Sequence, residues 1–240
     1  MATTKKNILF NRARFDQGAA YYGSKGIVPQ TAQIRCAVPL TNSATGMLKF
    51  DIKKDSSLAY AIEQLLKRTD LFVASSIGFA LMIEDDSLKG QAPLLSYPLI
   101  QSNALPSSLK GFTDASAYAL YNGILTMRTG NTVNYSRFPM LHFLNVPETQ
   151  PVELLNSTDV AVSAQIQPKF NLEDVMFELP EVLIFAGTKD QPITVEFPGA
   201  DMLVAAGSTA YGVLIVDGWL YETATAEQYK ESANPYAMNI

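Results

Sequence analysis

From Ile27 onward the chain is a series of short apolar runs broken by turn residues. In Met47-Leu48-Lys49-Phe50-Asp51-Ile52-Lys53 the apolar side chains at 48, 50 and 52 alternate with polar ones at 49, 51 and 53. That period of two is the pattern of a half-buried strand. Ala32 to Pro39, Leu71 to Ile83, Ile124 to Thr129, Thr132 to Arg137, Met140 to Val146, Val160 to Ile166, Val182 to Ala186 and Leu203 to Ala206 also read as short strands, and Ile193 to Phe197 alternates clearly. Gly130-Asn131 lies between two such runs and predicts a tight hairpin, because Gly and Asn tolerate the positive φ that the turn needs. Asp217-Gly218, between Gly212–Val216 and Trp219–Glu222, predicts a second hairpin on the same grounds.

One segment carries the longer period. Leu58, Ile62, Leu65 and Leu66 stand at i, i+4, i+7 and i+8. Asp55 or Ser56 is placed to cap the start, and Lys67 and Arg68 lie at the end that favours cations, so an amphipathic helix is expected over 55–70. Residues 1–26 show no clean period of 2 or 3.6. Their glycines, basic side chains and aromatics (Phe10, Phe15, Tyr21, Tyr22) predict an extended arm with anchors to dock on something. The irregular, Pro- and Ser-containing stretch 87–116 reads as a long surface loop. Many short strands, regular turns and a single helix make the chain mainly β. The expected architecture is an antiparallel sandwich or barrel, of jelly-roll type. It divides into the basic arm 1–26, one β domain over 27–225 and a C-terminal tail over 226–240. No fixed-period repeat points to a propeller or solenoid.

Composition changes this picture in two ways. Charged residues are 17% of the 240, against about a quarter in ordinary globular chains, so something else is expected to cover part of the surface. The charge is also uneven. Lys5, Lys6, Arg12, Arg14 and Lys25 face only Asp16 within 1–26, a net +4 that leaves −9 for the rest. The start of the chain is polar with no apolar segment after it, so no signal peptide is expected. The single Cys36 and single His142 exclude an intrachain disulfide and a Cys/His zinc site.

Little in the sequence points to catalysis. His142 lies in an apolar run with no visible nucleophile or orienting carboxylate, and Cys36 lies in a predicted strand; both are expected to be structural. Ser107-Ser108-Leu109-Lys110 matches S-x-x-K without its companion motifs. Glu84-Asp85-Asp86 lacks the spacing of a calcium loop and reads as a solvated turn. No phosphate-binding loop or nucleophile elbow occurs. The chain is therefore expected to be no enzyme and to need no cofactor or metal. Lys5, Lys6, Arg12, Arg14 and Lys25 are the candidate contact residues. Their partner is a nucleic-acid phosphate, held weakly and without sequence preference, or the acidic body of a neighbouring copy; an ordinary solvated terminus is the third reading.

Taken together, the basic Gly-containing arm, the series of short strands, the helix at 55–70, the loops at 87–116 and 147–158 and the C-terminal tail resemble a viral or bacteriophage coat protein of the jelly-roll type. The resemblance is architectural and covers most of the chain. It implies a virion structural protein, made in the host cytoplasm, that assembles with itself and with other virion proteins into a shell; it leaves open whether a membrane lies beneath. Removal of residues 1–26 is then expected to weaken assembly and leave the core folded. One alternative is a carbohydrate- or receptor-binding sandwich (a spike, decoration or lectin-like module) with Tyr97, Phe112, Tyr118 and Tyr121 on exposed loops. A remoter one is a hydrolase built on an acidic pair.

Overall fold

The structure is a computed structural model and describes residues 12–23, 26–40, 46–53, 65–87, 92–100, 111–113, 115–129, 132–146, 175–187, 191–199, 202, 204 and 206–222. Within these residues the protein is mainly β, built as two antiparallel sheets that face one another. The elements are α1 (Arg12–Gly23), β1 (Gln30–Pro39), β2 (Met47–Phe50), β3 (Leu71–Asp85), β4 (Leu94–Leu95), β5 (Ile124–Thr129), β6 (Thr132–Pro139), β7 (Met176–Ala186), β8 (Ile193–Glu196) and β9 (Ser208–Tyr221). Short 3₁₀ helices cover Ala115–Asn122 and Met140–Phe143.

The first sheet runs β1-β9-β3, with β7 along the first half of the other edge of β3 and the two-residue β4 along the second. The second runs β2-β8-β5-β6. With β4 set aside, eight strands remain and their pairing is nested. The first strand pairs with the last (β1·β9), the second with the next to last (β2·β8), the third with the one before (β3·β7), and the middle two form a hairpin (β5·β6). The chain thus behaves as one long folded-back ribbon that wraps into two layers.

The core lies between the layers. Phe79 of β3 meets Phe50 of β2 and Tyr121 edge-on, each at 6.1 Å, and Leu125, Met127, Ile193 and Val195 line the second sheet's inner face. The first sheet is buried on its other face too. There Leu71, Val73, Ile184, Trp219 and Tyr221 form one cluster, and Ala80, Met82, Val213 and Ile215 another. β3 and β9 are therefore apolar on both faces, which is why their sequences read as continuous hydrophobic runs rather than alternating ones.

A β-bulge decides which side chains go where. Ala74 lies opposite Gly218 and Ser76 opposite Asp217, so Ser75 is an extra residue in β3. Before it, Phe72 and Ala74 point inward; after it, Ile77, Phe79, Leu81 and Ile83 do. A one-residue slip moves every side chain to the other face, and the bulge makes that switch in mid-strand.

Several sequence expectations are corrected. Asp217-Gly218 is no hairpin: it lies inside the continuous strand β9, opposite the bulge. A Cβ on residue 218 would collide with the carbonyl oxygen of Val73, so the glycine serves a close approach of two backbones. Residues 12–23 are helical rather than extended. Phe15, Gly18, Ala19 and Tyr22 fall at i, i+3, i+4 and i+7, and Gly26, at φ 75°, turns the chain so that the Ile27 N–H reaches the Tyr22 carbonyl. The expected helix over 55–70 is not seen where it is described: Leu66 forms an isolated parallel bridge with Lys53, and 67–70 make a turn. Its residues 55–64 lie outside the described residues. Met140–Val146 begins as a 3₁₀ turn instead of a strand; in 203–206, Val204 bridges Phe112 and Ala206 lies in a turn, while Leu203 and Ala205 lie outside the described residues. The two strands expected to flank Gly130-Asn131 pair as a hairpin, with Thr129 opposite Thr132, while the two turn residues lie outside the described residues. The run 160–166 and the tail 226–240 lie outside the described residues.

Candidate assembly surfaces

Of the basic residues singled out in the sequence, Arg12 and Arg14 belong to the first turn of α1; Lys5, Lys6 and Lys25 lie outside the described residues. α1 itself is pinned to the outer face of the first sheet. Phe15 packs on Trp219 at 5.9 Å between ring centres, and Tyr22, fully buried, on Tyr221 at 4.3 Å. Arg12 and Arg14 are thus carried on the body by an aromatic anchor.

Next to this anchor the outer face of the first sheet turns polar. Gln33, Asp217 and Ser76 stand side by side on β1, β9 and β3. Asp217 is buried, and its carboxylate accepts a 2.7 Å hydrogen bond from the Gln33 side chain. The Ser75 hydroxyl donates to the Asp217 carbonyl at 3.2 Å, tying the bulge down. Burial pushes the Asp217 carboxyl above its usual range, and the Gln33 bond opposes that rise. Ser76 Oγ, fully buried, finds no hydrogen-bond partner among the described residues. The Arg35 guanidinium, two residues along β1, has its pKa lowered by burial.

The other polar residues noted in the sequence serve local structure. Asp85 accepts from the Ser87 amide and hydroxyl, and Thr209 donates to Asp86, so the acidic run closes the end of β3 against β9. Cys36 is buried and donates to the Asp51 carbonyl. His142 is exposed and lies over the seam where the two sheets meet. Its ring stacks on Phe138 at 5.0 Å and on Phe177 at 5.8 Å, and those two rings touch at 4.7 Å. Among the described residues no group of three His, Cys, Asp or Glu is placed to hold a metal ion. The Ser107–Lys110 motif lies outside the described residues. Phe112 and Tyr121 are core residues, and Tyr97 and Tyr118 are half-buried. A cleft of about 150 Å³ opens beside β1, lined by Ala32, Ile34, Leu65, Leu66, Phe72 and Leu220, with Asp70 and Gln33 at its polar side. The Asp70 carboxylate is already occupied by the Lys67 amide.

The second sheet differs from the first: among the described residues nothing covers its outer face. Met47, Glu196, Ile124 and Pro139 form one row across β2, β8, β5 and β6, all exposed. Met47, at the start of the edge strand β2, keeps 49% of its surface in solvent, and Ile124, at the start of β5, keeps 41%, large values for apolar side chains. Lys49, Thr194 and Thr126 make the next row. Alternation in the sequence places Lys49 on the polar side and runs clearly through Ile193–Phe197; it does not mark Met47, Ile124 or Pro139 as exposed, and it carries no sign that the two sheets differ in cover. Comparison with models of known protein families, with curated proteins and with solved structures finds no match.

Proposed function

We propose that this chain is a structural protein that assembles with copies of itself, and that its sandwich is a jelly roll used as a coat subunit of a virus or bacteriophage. The observation that carries the reading is the nested wiring of the eight strands, β1-β9-β3-β7 facing β2-β8-β5-β6. Two four-stranded sheets joined in this way are the arrangement of the jelly rolls that build viral shells, and also of some lectins. Two further observations favour assembly over sugar binding. Phe112 and Tyr121 are inside the core, which removes half of the aromatic platform a lectin-like module would present. The outer face of the second sheet leaves the apolar Met47 and Ile124 exposed, together with Pro139, on a chain with few charges.

In this reading α1 fixes the basic N-terminal segment to the body, and Lys5, Lys6, Arg12, Arg14 and Lys25 meet the acidic body of a neighbouring copy or, weakly, the genome. Other virion proteins are further partners. No reacting group, cofactor or metal has a part in it. The test is electron microscopy of the purified full-length chain under varied salt and concentration. Closed or regularly tiled particles of uniform size are expected. Dispersed single subunits under every condition would remove the reading.

A further inference from the structure

We infer that the open face of the second sheet is a two-fold contact between copies of this chain, centred on Lys49 and Glu196. The inference rests on the assembly reading and names the surface it would use.

Three facts support it. Leu48, Phe50, Leu125, Met127, Ile193 and Val195 are buried on the inner side of this sheet, so Met47, Ile124 and Pro139 point away from the core and stay exposed, with none of the described residues over them. Lys49 and Glu196 sit within this apolar row and the next, on adjacent strands and one pleat apart, because Met47 pairs with Glu196 and Lys49 with Thr194. Among the described residues they form no ion pair with one another.

Opposite charges at diagonal positions make the face complementary to itself. An isologous contact requires that a residue i meeting j also has j meeting i. A two-fold axis lying in the contact plane and crossing between the two residues sets Lys49 against the partner's Glu196, and Glu196 against the partner's Lys49. Met47 then lies close to the axis and meets the partner's Met47. The buried patch is small. Four strands about 4.8 Å apart and four residues long give roughly 300 Å² per copy. A free-standing dimer buries about 800 Å² per partner, so this contact is one of several weak ones that act together in an assembly.

Charge reversal tests it in the full chain, reading the protein concentration at which assembly begins by light scattering. Lys49→Glu and Glu196→Lys each set like charges face to face. Each is expected to raise that concentration about tenfold or more, with the melting midpoint of the unassembled subunit unchanged. The double variant Lys49→Glu/Glu196→Lys restores the pairing with the signs exchanged and is expected to assemble within about threefold of the natural chain. Assembly untouched by either single reversal overturns the contact and leaves the assembly reading standing. Single reversals that weaken assembly without rescue in the double variant mean that the face meets a different surface, and also overturn it. A natural chain that stays a 26.2 kDa monomer overturns the assembly reading and this contact with it.

Discussion

Gly218 and Asp217 show how single residues set the layout of the first sheet. The backbone of β3 bulges at Ser75 toward Gly218, and the absence of a Cβ there lets Val73 approach. Gly218→Ala is expected to cost about 1–3 kcal/mol, the usual range for forcing a methyl into a packed site; the shift in urea midpoint measures it. Asp217 carries a pH dependence. Its folded-state pKa lies above the ordinary 3.8 because the charged form is buried. A carboxyl raised in this way contributes most to stability below its unfolded pKa, and the contribution is lost as pH rises through the folded value. Asp217→Asn keeps an acceptor for Gln33 and removes the charge. It is expected to melt higher than the natural chain at pH 7, with the difference closing below about pH 4; thermal melts across that pH range check it. An Asp-Gly pair predicts a turn because local chemistry is all the sequence displays. The bulge that uses the pair here lies over a hundred positions away, and no local signal marks it.

At the scale of elements, strands with one solvated face were legible and elements defined by distant packing were not. β2 and β8 alternate cleanly and were placed to within a few residues. β3 is apolar on both faces, so its boundaries could be read but its parity, reversed by Ser75, could not. α1 hides its helical face in small residues: Gly18 and Ala19 lie between Phe15 and Tyr22 at the right spacing, but glycine disfavours a helix and blurs the period. The segment earns its helix from the surface it covers. This changes the expected effect of truncation. Deleting residues 1–23 is predicted to uncover Trp219, the only tryptophan, which is fully buried against Phe15. Its fluorescence should shift to the red and the melting midpoint should fall, whereas deleting 1–11 should leave both unchanged and alter only salt-sensitive contacts. A truncation of 1–23 with unshifted emission would contradict the docking of α1.

At the scale of the molecule, the mainly-β class and the two-layer sandwich were legible because alternation and turn spacing recur along the chain. Strand order was not, since nested pairing joins the first strand to the last and no short-range pattern encodes it. The same holds for the candidate surface. Lys49 and Glu196 are unremarkable in sequence and become neighbours only through the β2·β8 register. The asymmetry between a doubly covered sheet and an open one, on a chain with a positive start and a negative body, makes self-assembly the central claim. Its most direct test is the solution mass of the full-length chain by light scattering after size exclusion, over a range of concentration and salt. Self-assembly predicts a mass of many subunits that shifts with salt; a constant 26.2 kDa at every concentration would contradict it.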